Sequence, residues 1–415
     1  MVEGHMRPIV WADEPAEWPT VPDWMSFYRL LEIERCPRRA ALRAANYPDL
    51  WAQHGYPPKL RLSNLMGQVV HSSVRTIGTN LANGGCLSAS DARAVSLLTQ
   101  WGGLTQLIQK SVEVVLNEQS TNPRGIAGRR TLHEALERRI PAMREKVQIM
   151  LSRLPLGASV SAPRDKSKPA AVDSKLLKTH SELELRSPAL HWVGVADYVS
   201  VGEDHCEIID FKTGEPDEEH KLQIRIYALL WANDQRLNPA RVLADKLTLS
   251  YGSRSIDVPA PHESELEKLN QTLADRTETA RNVMQAQPPQ AKPSLQNCTF
   301  CDVRHLCSTY WTPETQRQLS EHLSPTTEFT DLQLRITSRQ AVKSWKGVVS
   351  SASTLPKDAP VILRTSVFDR SIDDALLANP AKELRLLDVR VSNVPTDGSP
   401  AILTASDRTE GFLLR

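Results

Sequence analysis

The spacing of apolar residues changes along the chain, and each change predicts a different element. After a Trp/Pro-rich arm, Ser26 through Arg43 carries one helical pattern that encloses Arg35-Cys36-Pro37-Arg38-Arg39. Between Leu62 and Asn80, Leu65, Val69 and Val70 recur at helical spacing, and Gly67 and His71, one turn apart, fall on a neighbouring face. From Asp91 to about Leu154 the pattern predicts two or more helices, interrupted near Asn122-Pro123-Arg124-Gly125. Ser161 through Lys175, rich in Pro, Ala, Ser and Lys, predicts a mobile loop.

The period then shortens to that of strands. β-branched and aromatic residues predict strands over Leu183 to Arg186, Trp192 to Val201 and Cys206 to Lys212, with Ser-Pro and Gly-Glu-Asp turn signals between them. The acidic Glu215-Pro216-Asp217-Glu218-Glu219 opens a helix that runs to about Trp231. Leu247 through Tyr251 predicts a further strand, and Glu263 through about Met284 a further helix. Gln287 to Pro293 reads as a linker that delivers a cysteine cluster. Beyond about Pro325 helix signals are few. Strands over Val342 to Val349, Val361 to Val367, Leu384 to Val391 and Ala401 to Ser406 suit a small barrel of five short strands.

Within Ile208-Ile209-Asp210-Phe211-Lys212, a period of two puts Asp210 and Lys212 on one face and Ile209 and Phe211 on the other. The preceding strand carries Gly194-Val195-Ala196-Asp197, and a hairpin would bring Asp197 to Asp210. Two carboxylates with a lysine can bind a hard divalent cation and orient a water against a phosphodiester. An ordinary salt-bridged strand pair is the other reading of the same spacing. On the next helix Gln223 and Tyr227 share a face beside the apolar stripe of Leu222, Ile226 and Leu229.

Composition narrows the picture. A chain of 415 residues, 40% hydrophobic and 24% charged, predicts two or three soluble globular domains. Fifty Lys+Arg against forty-nine Asp+Glu leave a net charge of +1, so a nucleic-acid groove has to be a local concentration of charge. Met1 through Trp24 lacks a basic segment leading into an apolar run, and no stretch approaches the roughly 18 apolar residues of a membrane span. A cytoplasmic protein without a membrane partner is expected. Of the six cysteines, Cys298, Cys301 and Cys307 crowd one segment, while Cys36, Cys86 and Cys206 are scattered. In a reducing compartment such a cluster favours metal over disulfides and needs a fourth ligand. Spacing alone leaves zinc and iron equally open.

In this order the pieces resemble the RecB-like branch of the PD-(D/E)XK nucleases, in particular its iron-sulphur members among AddB-type and CRISPR-associated exonucleases. Gly67 to His71 is similar to that family's G-x-x-x-H motif, Gly194 to Asp197 to G-x-x-D, Asp210 to Lys212 to D-x-K, and Gln223 to Tyr227 to Q-x-x-x-Y. Ala196 stands where many relatives have Pro, and a long helical stretch separates His71 from Asp197. The resemblance covers about residues 26 to 312. It implies an α/β restriction-endonuclease-like core in a domain of residues 1–312, with a helical insertion at about 86–160. A linker at 313–328 and an all-β, OB-like barrel at 329–415 complete the expected layout.

The resemblance further implies that His71, Asp197, Asp210 and the backbone carbonyl of Phe211 hold Mg²⁺ or Mn²⁺. Lys212 would position the attacking water or stabilise developing charge, and Gln223 and Tyr227 would support the site or the substrate phosphates. Cys36, Cys298, Cys301 and Cys307 would hold a 4Fe-4S cluster, with Cys86 and Cys206 as small buried thiols. Joining Cys36 to Cys298 closes a loop of 298 − 36 = 262 residues, for which loop-closure entropy gives about 5 kcal/mol.

In the tail, Lys343, Trp345 and Lys346 in one strand and Arg364 in the next would suit an aromatic, basic face for single-stranded nucleic acid. A docking or structural β-domain is the alternative. The expected function is a metal-dependent DNA nuclease acting on single strands or ends, in repair or in anti-phage or CRISPR-type defence. The competing reading is a non-catalytic nucleic-acid-binding or docking subunit of a nuclease-helicase complex, against which intact Asp197, Asp210 and Lys212 argue. An RNA target is a third possibility. The sequence holds no G-x-x-x-x-G-K-[ST] loop, so any helicase or other motor would be a separate chain.

Overall fold

The computed structural model describes residues 10–11, 13–124, 129–154, 156, 179–202, 205–251, 254–321, 328–365, 370–378, 383–393, 398–406 and 409–414. The loop expected at Ser161–Lys175 lies outside them.

A short strand, β1 (Val10–Trp11), opens the described chain. The helical pattern that follows is two helices rather than one. Proline pushes the residue before it into extended backbone. Cys36, with φ −160° and ψ 102°, accordingly ends α1 (Phe27–Arg35), while Pro37 takes the first position of α2 (Pro37–Ala44). Then come α3 (Leu62–Asn83), α4 (Ala92–Gln100), α5 (Gly103–Glu118), α6 (Arg129–Glu137) and α7 (Ile140–Ser152). Their apolar stripes form one core with Tyr198, Ile209 and Phe211.

Those three residues belong to a five-stranded sheet, in the order β2 (Thr179–Ser187), β3 (Trp192–Val201), β4 (Cys206–Lys212), β5 (Lys246–Tyr251) and β6 (Ser255–Val258). Helix α8 (Glu218–Asn233), capped by the Asp217 side chain, crosses from β4 to β5 and makes that pair parallel. The other pairs are antiparallel. α8, α9 (Glu263–Met284) and α1 cover the second face, where Ile208, Ile224, Trp231, Leu247 and Leu273 form another core. The sheet is thus a wall between two helical layers, and β4 contributes a side chain to each layer in turn.

α10 (Leu295–Cys298), a 3₁₀ turn (Ser308–Trp311) and α11 (Pro313–Ser320) lead to the tail. There β7 (Phe329–Ala341), β8 (Ser344–Ala352), β9 (Pro360–Arg364), β10 (Glu383–Asn393) and β11 (Ala401–Thr404) close on themselves in the order β7-β8-β9-β11-β10-β7. The β9–β11 pair is parallel, and α12 (Arg370–Ala378) lies between β9 and β10. This is a closed five-stranded barrel with the connectivity of an OB fold. α12 departs from the expectation of few helices in the tail. A final strand, β12 (Glu410–Leu413), bridges β10 to β1, so the N-terminal arm is stitched to the far end of the chain.

The cysteine-bearing segment joins barrel and sheet domain. Leu42, Tyr47 and Tyr56 share a core with Val303, Leu306 and Trp311, with Leu387 of the barrel and with Phe412 of β12. Arg304 pairs with Asp331, Arg385 Nη1 donates to the His305 carbonyl at 2.5 Å, and Arg124 makes a two-pronged bond to Glu410 at 2.9 and 3.0 Å.

Candidate active site

The site forms where β3 and β4 part. Their ladder ends at Tyr198 and Ile209, so Asp197 and Asp210 are the first residues past the last pair. On either side of Asp197, Ala196 packs in the α8 core and Tyr198 in the α3 core. Asp197 stands between them and reaches toward both layers.

Asp197 Oδ2 accepts the Phe211 N–H at 2.6 Å. The N–H and C=O of one strand residue point to the same edge, so the Phe211 carbonyl faces this opening too. His71 reaches Asp197 Oδ1 from α3, with Nδ1 at 3.6 Å. Gly67 sets that approach: a Cβ there would lie 3.2 Å from Thr213 Oγ1, just past β4. From the other layer, Gln223 Oε1 accepts from Lys212 Nζ at 2.7 Å, and Gln223 Nε2 donates to Tyr227 OH at 2.7 Å. Lys212 Nζ stands 2.5 Å from Asp210 Oδ2. That oxygen is buried, and Lys212 is the cation that faces it.

Burial and the neighbouring Asp197 charge push the Asp210 carboxyl up to about 7. Burial works against the charged forms of Lys212 and His71, but the carboxylates around them outweigh it and raise both. Hard carboxylate oxygens, with a carbonyl and an imidazole beside them, fit Mg²⁺ or Mn²⁺. Among the described residues no three His, Cys, Asp or Glu side chains already converge as around a single ion.

All four cysteines of the expected set line one cavity, together with Arg38, Arg39, Lys292 and Arg304. Burial raises the Cys298 and Cys307 thiols and pushes Cys301 up to about 12. These four soft donors share the cavity with cations but are not already drawn together around one ion; a thiolate-bound metal would supply the charge that ionises them. Cys86 and Cys206 are buried elsewhere, in the two separate helical-layer cores.

The barrel residues require a correction. Trp345 is 3% exposed and sits in the barrel interior with Leu334, Val361 and Leu363, so it cannot stack on bases. Inward positions on β8 alternate through Trp345, Gly347 and Val349. Lys343 lies in the β7–β8 turn, with φ +56°, rather than in the strand. Lys346 and Arg364 are exposed on β8 and β9. Tyr28, which the sequence did not single out, also enters the active site: its hydroxyl donates to Gln223 Oε1 at 3.2 Å.

Paired carboxylates and a buried lysine at the parting of two strands, backed by helices on both faces, are the groups that metal-dependent phosphodiester hydrolysis requires. A family model described as the PD-(D/E)XK nuclease superfamily matches residues 25–308, and the chain belongs to that superfamily. No curated protein matches the chain significantly. Among solved structures the chain is similar to "Crystal structure of SSO0001", at 19% identity, over 32% of this chain and 62% of that one, with a TM-score of 0.20. The chain thus spans less than two thirds of that protein's length. No helix among the described residues is long and apolar enough to cross a membrane.

Proposed function

We propose that the protein is a metal-dependent DNA nuclease that cleaves single strands or DNA ends, with a 4Fe-4S cluster holding its first and last structural layers together. The observation that carries the reading is the meeting of His71, Asp197, Asp210, Lys212 and Gln223 at the β3–β4 opening. His71, Asp197, Asp210 and the Phe211 carbonyl would hold Mg²⁺ or Mn²⁺, which when bound supplies Lewis acidity and charge neutralisation. Lys212, kept protonated by Asp210, serves as a donor to the water or to the phosphate oxygen rather than as a base. Gln223 fixes the direction of that ammonium, and Tyr227 fixes Gln223.

Cys36, Cys298, Cys301 and Cys307 would hold the cluster. The iron-sulphur, RecB-like branch of the family, a role in repair or in CRISPR-type or anti-phage defence, and a motor supplied by a separate chain belong to the same proposal. Anaerobically purified protein incubated with end-labelled single- and double-stranded DNA, with Mg²⁺, Mn²⁺ or EDTA, tests it. Metal-dependent shortening that Asp210→Asn abolishes is expected. Intact DNA in every lane, or cleavage that survives in the variant, would overturn it.

A further inference from the structure

Tyr28 has two properties that rarely coincide. It is 61% exposed, the largest exposure of any aromatic ring on the sheet-domain helices, yet its hydroxyl is tied to Gln223 in the candidate active site. An aromatic ring left in water loses its apolar burial, and nothing in the packing of α1 requires it there. The helix already buries Phe27, Leu30 and Ile33 on its core face. Ser26 caps the helix through the Arg29 N–H, so Tyr28 has no part in ending it. The ring is braced from one side by the edge of Phe27, at 5.5 Å between centroids.

Gln223 Oε1 receives both Tyr28 OH, at 3.2 Å, and Lys212 Nζ, at 2.7 Å. The two donors are therefore at most 3.2 + 2.7 = 5.9 Å apart, less than two base steps of about 3.4 Å along one strand. A phosphate held by the lysine would thus have its own or its neighbour's base within reach of the ring. Base-on-aromatic stacking is tolerant of sequence, and it requires a base face that is not already covered by the neighbouring base pairs of a duplex.

We propose that Tyr28 is a stacking platform for the nucleobase beside the scissile phosphate, which makes unpaired nucleotides the preferred substrate of this site. The inference deepens the nuclease reading and rests on it. Its test is an abasic walk: a single-stranded oligonucleotide series in which one base-free nucleotide moves along the strand, cleaved in Mg²⁺ by the wild type, Tyr28→Phe and Tyr28→Ala. For the wild type, kcat/KM falls about tenfold at one abasic position, fixed relative to the cut. Tyr28→Ala shows about the same fall on the intact strand and no further fall at that position, whereas Tyr28→Phe, which keeps the ring, retains the position-specific fall whatever its rate on the intact strand.

A Tyr28→Ala loss that is equal at every position, the sensitive one included, or a Tyr28→Phe variant without the position-specific fall, overturns the platform and leaves only a hydroxyl that steadies Gln223. A wild type that cleaves no strand with any metal sinks the nuclease reading instead. The same walk read by fluorescence anisotropy in Ca²⁺ then decides Tyr28 alone: a position-specific, ring-dependent loss of affinity supports it, and its absence overturns it.

Discussion

Gly194 and Tyr227 are in contact so close that a Cβ on Gly194 would stand 2.8 Å from Tyr227 Cε1 and 3.0 Å from Leu230 Cδ1. The glycine of one short motif and the tyrosine of another are thus a single packing unit. The bare backbone of β3 admits the ring, the ring holds Gln223, and Gln223 holds Lys212. Gly194→Ala should cost about 1 to 3 kcal/mol through overpacking. It should also lower kcat, because the displaced ring releases Gln223. Thermal melting and steady-state cleavage on the same preparation check both, and unchanged kcat would break the proposed link.

The charged groups should behave as one device. Asp210→Asn, Asp197→Asn and Lys212→Gln are each expected to lower kcat by on the order of a thousandfold or more without loss of far-UV circular dichroism. His71→Ala should instead raise the metal concentration needed for half-maximal rate, since its ring stands 3.6 Å from Asp197 as one donor among several. Metal titrations of each variant separate the two behaviours.

Much of this site was legible in the sequence because its period was legible. Two-residue alternation along β4 separates Asp210 and Lys212 from Ile209 and Phe211, and the two layers of the fold follow that separation. The burial of Trp345 was hidden because Val348 and Val349 are both apolar, so β8 offers two nearly equal choices of inward face. The bond between β1 and β12 was hidden because a two-residue strand has no period, and its partner lies at the other end of the chain. Tyr28 left no mark because its role lies in a contact 195 residues away.

The proposed cluster predicts a metal content for the cavity lined by Cys36, Cys298, Cys301 and Cys307. Protein purified without air should be brown with about four irons per chain, as four-thiolate ligation of a cubane implies. Replacing any of these four by Ala should remove the iron and lower the melting temperature far more than Cys86→Ala or Cys206→Ala, which leave the iron in place. Elemental analysis that finds zinc would refute the iron centre.

Acid should remove two contributions to stability in turn. His305 is buried, stacked on Phe412 at 3.8 Å and paired with Tyr56 OH at 2.7 Å. Burial, reinforced by the charges of Arg124, Arg304 and Arg385, holds it well below its ordinary 6.5 despite Glu410. A neutral folded histidine that protonates on unfolding contributes stability that is complete above 6.5 and is lost as pH falls below it. Burial would raise Glu410, but Arg124 and Lys59 outweigh it and hold the carboxyl below its ordinary 4.5. Its contribution is therefore present above 4.5 and lost below. The His305 contribution should fade below pH 6.5 and the Glu410 contribution below pH 4.5, each read as the difference in melting temperature between the wild type and the variant at that residue. His305→Phe serves for the first, and Glu410→Gln, which should cost about 3 kcal/mol at neutral pH by leaving Arg124 unpaired, for the second.

The barrel gives the sharpest contrast between a residue that folds it and residues that face solvent. Trp345 fills the interior against Leu334 and Leu363, so Trp345→Ala should destabilise by about 3 to 5 kcal/mol through the cavity it leaves. Lys346 and Arg364 are exposed on neighbouring strands, and Lys343 lies in the turn beside them. If this face holds single strands, each phosphate contact there releases condensed counterion. Lys343→Gln, Lys346→Gln and Arg364→Gln should then each reduce the slope of log affinity against log salt by about 0.7 while leaving the melting temperature within about a degree. Binding and melting measured together on all four variants decide the matter. Charge variants that match the wild-type slope would assign the barrel a docking or structural role, because its one aromatic of the expected set is already committed to the core.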